Sequence, residues 1–350
     1  MANQSNIWSV IKANAYGHGV LPAARALKEV TDGFALIEMD SAIALREAGI
    51  RQPILMLEGC YQADELPLFA EWELTPVLHA LWQVDALIAA RLPVRLPVYL
   101  KLDTGMHRLG LTTDEFALAL VRLEAAGCAA SITVMTHFAD ADEDRGIAEQ
   151  MQRLRDITAG LALPLSLANS AALLRFPESH ADWVRPGIML YGASPFPARQ
   201  SAEALDLKPV MTLASELIGV RDIAAGDRVG YGGTFVAGQP MRIGIVACGY
   251  GDGYPRHAPT GTPVLVAGRR TRTLGRVSMD KLCVDLSVLE AQGKKAGAKV
   301  GADETVGIGT PVTLWGDGLP ADDVATAAGT VAYELFCAVA ARVPLVDADQ

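Results

Sequence analysis

No run of eighteen apolar residues occurs anywhere in the 350-residue chain, which excludes a transmembrane helix. The opening segment MANQSNIWSVIK lacks the charged start and apolar core of a secretory signal. The five cysteines (Cys60, Cys128, Cys248, Cys283, Cys337) are scattered, odd in number and contain no CxxC pair. That excludes a disulfide or metal framework, and it suits a reducing cytoplasm. Positive charge is in the minority, with 30 Lys and Arg against 40 Asp and Glu and a net charge of −10. Such a surface argues against nucleic acid or an anionic membrane as partner, while leaving room for a small basic pocket. Internal repeats and low-complexity tracts are absent. Hydrophobic residues make up 51% and charged residues 20%, which excludes intrinsic disorder. The length suggests two domains, or one large barrel with an appendage.

Over the first 190 residues, short β-rich runs alternate with amphipathic Ala/Leu-rich segments. Strands are expected near 7–12, 34–38, 53–58, 75–79, 94–102, 131–136, 165–168 and 184–191, and helices near 21–30, 40–47, 81–91, 114–125 and 145–160. Eight strands separated by helices predict a (β/α)8 TIM-like barrel, with a doubly wound sheet as the competing architecture. After Pro195 the helix signals thin out. Strand-like runs near 210–220, 241–247, 262–266, 271–274, 282–286 and 312–314 predict a mostly β second domain. The expected division is 1–200 and 201–350, with a surface loop at 291–297.

The most informative segment is Lys12-Ala13-Asn14-Ala15-Tyr16-Gly17-His18-Gly19. Lys12 follows an apolar strand, so its amine belongs at the C-terminal mouth of a barrel, where barrel active sites lie. A lysine there can act as a covalent amine nucleophile; the plainer reading is a snorkelling strand-end side chain. Asn169-Ser170 before an Ala-rich segment reads equally as a helix cap or a phosphate contact. His137 at a strand end is ordinarily a core histidine.

Taken in order, these motifs resemble bacterial alanine racemases. The match runs through Lys12–Gly19, Lys101–Gly110 (KLDTGMHRLG), Ala168–Ala172 (ANSAA) and Val184–Ile188 (VRPGI). It continues through Val229–Gly232 (VGYG), Gly249–Gly253 (GYGDG), Gly275–Asp280 (GRVSMD) and Gly329–Glu334 (GTVAYE). The resemblance implies a pyridoxal phosphate (PLP) enzyme that interconverts L- and D-alanine, a reaction that supplies peptidoglycan precursors or consumes alanine. Lys12 would hold the cofactor in a Schiff base and act as one base. Tyr231 would be the second base on the opposite face, assisted by Arg108, which also faces the substrate carboxylate. A phenol is a weak acid and needs a nearby cation to act as a base at neutral pH.

By the same resemblance Arg185 contacts the pyridine nitrogen, where a cation disfavours ring protonation and favours reprotonation at Cα over other outcomes. Tyr16, Asn169, Ser170, Gly187, Ile188 and Tyr333 would bind the cofactor, chiefly its phosphate, and His137 would stack on the ring. Tyr250, Met279 and Asp280 would line the substrate mouth. Lys101 matches a lysine that is carbamylated in many members. A head-to-tail homodimer with shared sites is implied, with no metal. Alternatives are a racemase of broader or different specificity and a PLP-binding protein with little turnover. Two departures stand out. Ser166 replaces a histidine that supports the pyridine-contacting arginine in some members. Only eleven residues precede Lys12, where relatives carry a few dozen, so a shortened barrel start is expected.

Overall fold

The computed structural model describes residues 4–287, 289 and 306–347; the expected loop at 291–297 lies outside them. The chain divides into two compact units, Met1–Leu190 and Tyr191–Gln350.

The first unit is built on eight parallel strands: β1 (Asn6–Val10), β2 (Gly33–Leu36), β3 (Ile54–Met56), β4 (Leu74–Leu78), β5 (Leu96–Lys101), β6 (Ala129–Met135), β7 (Leu165–Ser166) and β8 (Trp183–Val184). They close in chain order. Closure is made by β1 against β8, with Asn6 opposite Trp183 and Ile7 opposite Val184, which excludes the doubly wound sheet. Parallel strands covered by helices are buried on both faces, and β2 (GFAL) and β4 (LTPVL) are buried at every position. The helices occupy Val20–Leu27, Met39–Glu47, Leu66–Glu71, Leu81–Ala90, Thr113–Ala126, Ala148–Thr158 and Ser170–Arg175. Five lie within a few residues of the expected segments. Ser170–Arg175 follows the expected cap at Asn169, and the one unforeseen helix, Leu66–Glu71, is only six residues long and shows no full amphipathic period.

The seventh and eighth strands are shorter than expected, two residues each. After Val184 the chain leaves the sheet through Arg185-Pro186-Gly187, because proline cannot donate to a ladder. Ile188–Tyr191 then forms a 3-10 turn.

A packed aromatic layer fills the barrel below its mouth. Trp8 Nε1 donates to Tyr99 Oη at 3.0 Å, and the Trp8 ring stacks on Trp183 at 4.4 Å. Trp8 lies opposite Gly33 on β2, and a β-carbon at Gly33 would stand 2.2 Å from the indole. Glycine at this position is therefore a consequence of the tryptophan.

The second unit carries a closed antiparallel barrel of β9 (Leu213–Ile223), β12 (Met241–Val246), β13 (Pro263–Val266), β14 (Arg269–Leu274), β15 (Leu282–Asp285) and β16 (Pro311–Trp315); a small ribbon adds β10 (Arg228–Val229) and β11 (Phe235–Val236). The barrel order is β12-β15-β14-β13-β16-β9. The six expected runs coincide with these six barrel strands. Two helices, Ala321–Ala328 and Ala332–Ala338, follow the last strand. The first carries Asp322 and Asp323 in its opening turn and stops at Gly329, whose φ of +73° suits a left-handed C-cap. No described helix is long and apolar enough to cross a membrane.

Candidate active site at the barrel mouth

The mouth is organised by an unusual turn. After β1 ends at Val10, four consecutive residues, Ala13, Asn14, Ala15 and Tyr16, adopt left-handed backbone angles with φ between 52° and 54°. Left-handed geometry costs an L-residue about 1–2 kcal/mol, so the surroundings must hold it. The Ala13 N–H donates to Glu38 Oε1 at 2.8 Å, the Ala15 N–H to the Ile11 carbonyl, and the Val20 N–H to Asn14 Oδ1 at 2.9 Å. The short loop thus holds Lys12 and Tyr16 just past the end of β1.

Arg185 is buried just past β8, at 4% exposure. Its guanidinium donates to Ser166 Oγ at 2.8 Å, to the Thr136 carbonyl at 2.6 Å and to the Leu167 carbonyl at 3.1 Å; His137 Nδ1 stands 3.4 Å away. Ser166 thus makes a direct hydrogen bond to the arginine. All these partners are neutral, and burial lowers the Arg185 pKa to about 10, with Tyr99 pulling the other way. Neutral acceptors satisfy the donors without cancelling the charge, so the cation remains available to a ligand.

Lys101 closes β5 and is also buried. Burial first, then the Arg185 and Arg108 cations, push its pKa down to about 8, while Glu58 opposes them. His137 is held well below its ordinary pKa by burial and by the cations of Arg185, Lys101, Arg108 and Lys12. The structure therefore brings Lys12, Lys101, Arg108 and Arg185 within electrostatic reach of His137, inside a protein of net charge −10. Arg108 projects from the loop Asp103–Gly110. Asp103 Oδ1 accepts the Gly105 and His107 N–H groups and thereby fixes that loop.

A small polar recess lies beside this cluster. The Gly187 N–H donates to Ser170 Oγ at 2.8 Å, and a β-carbon at Gly187 would stand 2.7 Å from Tyr16 Oη. Only a bare backbone fits, and its N–H, a serine hydroxyl and a phenol then converge. Asn169 caps the helix Ser170–Arg175 by accepting the Ala172 N–H at 3.0 Å; Ile188, next to Gly187, is fully buried.

The remaining expected residues belong to the second unit. Tyr231 stands in a 3-10 turn flanked by Gly230 and Gly232, both at φ 72°, and is 73% exposed. Tyr250 and Met279 are also exposed, and the Arg256 guanidinium lies 6.0 Å from the Tyr250 ring. The segment Arg276–Asp280 runs between the turns of Tyr231 and Tyr250. Backbone at Arg276 faces Gly230, and the Tyr250 N–H donates to the Ser278 carbonyl. Asp280 is already engaged with Arg342 at 2.7 Å. Tyr333 is the second residue of the helix Ala332–Ala338.

Sequence reasoning passed over Gln83, Glu58 and His79. The fully buried Gln83 side chain donates to the carbonyls of Glu58 and Cys60 and accepts the His79 N–H, tying the loops after β3 and β4 together. A glutamine in an apolar helix was the available signal, because a buried amide needs partners.

Residues 1–195 match the family description "Alanine racemase, N-terminal domain", and residues 210–347 match "Alanine racemase, C-terminal domain". An alanine racemase of Nitrosospira multiformis is 55% identical over 348 residues, covering 99% of this chain and 93% of that protein. A catabolic alanine racemase of Salmonella typhimurium is 51% identical over 345 residues, covering 99% and 93%. Among solved structures, the biosynthetic alanine racemase of Pseudomonas aeruginosa superposes with a TM-score of 0.91 at 45% identity, covering 98% of this chain and 92% of that one. With both halves matched in order, this chain belongs to the alanine racemase family of isomerases.

Proposed function

We propose that this protein interconverts L- and D-alanine with PLP at the mouth of the first unit. The observation that carries the reading is the convergence of Lys12, Arg185 and His137 beside a recess that admits no β-carbon at Gly187. The residues fit the cofactor chemically: an amine, a buried cation with neutral partners, and a neutral donor set for a phosphate. Bound PLP supplies a conjugated pyridine ring that delocalises the electron pair left when the Cα–H bond breaks.

In this reading Lys12 holds the cofactor through its amine and moves a proton on one face of Cα. Tyr231 moves a proton on the other face. Arg185 would hold the pyridine nitrogen, where a cation would disfavour protonation and thereby favour return of the proton to Cα. His137 would hold the ring. Tyr16, Asn169, Ser170, Gly187, Ile188 and Tyr333 would hold the phosphate. Arg108 pairs with the substrate carboxylate and with the Tyr231 oxygen, while Tyr250, Met279 and Asp280 line the approach. Lys101, with its pKa pushed down to about 8, holds more of the neutral amine that attacks CO2. The resulting carbamate turns a cation among cations into an anion facing Arg108, with the released proton going to solvent. Tyr231 comes from a second copy in a cytoplasmic homodimer. The two enantiomers have equal free energy, so the same site supplies or consumes D-alanine according to concentration.

The direct test is formation of D-alanine from L-alanine by the purified protein, followed by chiral chromatography, with activity restored to dialysed protein by PLP. Absence of D-alanine at full cofactor loading would reject the reading. A second measurement addresses the recess. Gly187→Ala puts a β-carbon where Tyr16 Oη must stand, so PLP affinity should fall by at least about tenfold, the cost of displacing a group in a packed polar site. Absorbance titration with PLP reads this directly, and unchanged affinity would remove Gly187 from the phosphate site.

A further inference from the structure

We propose that Arg342 is a positioning residue for substrate binding: it latches together the two loops that carry Tyr250 and Met279. The inference rests on the reading of Tyr250 and Met279 as mouth residues.

The geometry lies wholly within the second unit. Arg342 Nε donates to Asp252 Oδ1 at 2.8 Å, and Nη2 donates to Asp280 Oδ1 at 2.7 Å. One guanidinium thus spans two carboxylates on two loops. Asp252 belongs to the turn Tyr250–Asp252 and uses its other oxygen to accept the Gly249 N–H at 2.9 Å. Asp280 directly follows Met279. The loops are also joined by backbone, Tyr250 N–H to the Ser278 carbonyl at 3.0 Å and Gly251 N–H to the Met279 carbonyl at 2.8 Å. The Ala340 N–H, two residues before Arg342, donates to the Asp252 carbonyl at 3.1 Å.

The contact is so close that side chains are excluded. A β-carbon at Gly249 would stand 2.3 Å from the Ser278 carbonyl oxygen, and one at Gly251 would stand 2.7 Å from Arg342 Nη2. The glycines of Gly249-Tyr250-Gly251-Asp252-Gly253 are therefore what allows the latch to close. Backbone contacts fix the loops' separation, while the arginine fork fixes the orientation of the two acidic turns.

Arg342 is about half exposed, and exposed ion pairs contribute little to global stability. Its consequence is local. Residues lining an approach bind substrate and transition state alike, so losing their placement raises KM while leaving kcat nearly unchanged. Lysine offers a point charge rather than a fork and cannot bridge both carboxylates in the same geometry.

The test uses the full-length, PLP-loaded protein and alanine racemisation kinetics with Arg342→Met, Arg342→Lys, Asp252→Asn, the double variant Arg342→Met/Asp252→Asn, and Met279→Ala as reference. Arg342→Met should raise KM for L-alanine on the order of tenfold, the scale of losing charge-assisted hydrogen bonds, with kcat within about twofold. Tm should hardly move. Arg342→Lys should fall between Arg342→Met and the parent. The double variant should be no worse than Arg342→Met, because both residues act through one contact. If Met279→Ala raises KM while both Arg342 variants leave it unchanged, the latch is overturned and the mouth reading stands. If Met279→Ala leaves KM unchanged, the mouth reading falls and takes the latch with it. A lowered Tm with KM unchanged would assign Arg342 a purely structural role and overturn the proposal.

Discussion

Lys12→Ala should lower alanine racemisation by about 10⁴-fold or more, the upper range for losing a positioned acid/base, with an added loss of cofactor retention. In the proposed mechanism no other group can substitute. Lys101 is the nearest chemical equivalent, but it is buried at the end of β5, and in the proposed reading its amine is tied up as a carbamate. The side chain of Lys12 is only partly buried and lies outside the Trp8–Tyr99 layer, so the barrel should remain folded by circular dichroism. Residual D-alanine formation above about one per cent of the parent would point to another lysine. Borohydride reduction of the PLP-loaded parent should label the peptide containing Lys12 and leave the variant unlabelled.

Tyr231→Phe should lower racemisation by about 10²–10³-fold, again the scale of general acid–base loss. Because the enantiomers are equal in free energy, kcat/KM must fall equally in both directions, so direction cannot be read from net turnover. It is read from hydrogen exchange at Cα in deuterated water, followed by NMR. With Lys12 intact, one enantiomer should still exchange with retention while the other is lost. Equal small losses for both would reject a two-base scheme. The exposure of Tyr231, 73%, means its removal leaves no cavity in its own unit. Mixing Lys12→Ala and Tyr231→Phe chains should restore part of the activity if a second copy completes each site. No rescue in verified heterodimers would place each site within one chain.

Several features of the site were legible in the sequence for local reasons. Lys12 follows an apolar run, so a strand-end lysine could be read directly. The glycines around Tyr231 and Tyr250 announced turns, and the structure places both tyrosines in 3-10 turns. The six strands of the second barrel were visible because each alternates or is β-branched between Gly/Asp turns. The helices Ala321–Ala328 and Ala332–Ala338 were less visible, being short and Ala-rich beside strong strand signals. The left-handed turn after Ile11 was not visible at all. Alanine, asparagine and tyrosine favour other backbone angles, and contacts from Glu38 and Val20 hold them there.

By itself, the sequence determined the strand and helix periodicity, the two-part organisation and the positions of the chemical groups, because these depend on neighbours a few residues apart. Only the tertiary structure decided that β1 pairs with β8, that Arg185 is held by neutral acceptors at the ends of β6 and β7, and that Arg342 bridges Asp252 and Asp280. Each of these joins residues tens to nearly two hundred positions apart. Such contacts follow from barrel closure and loop packing, and no local pattern encodes them.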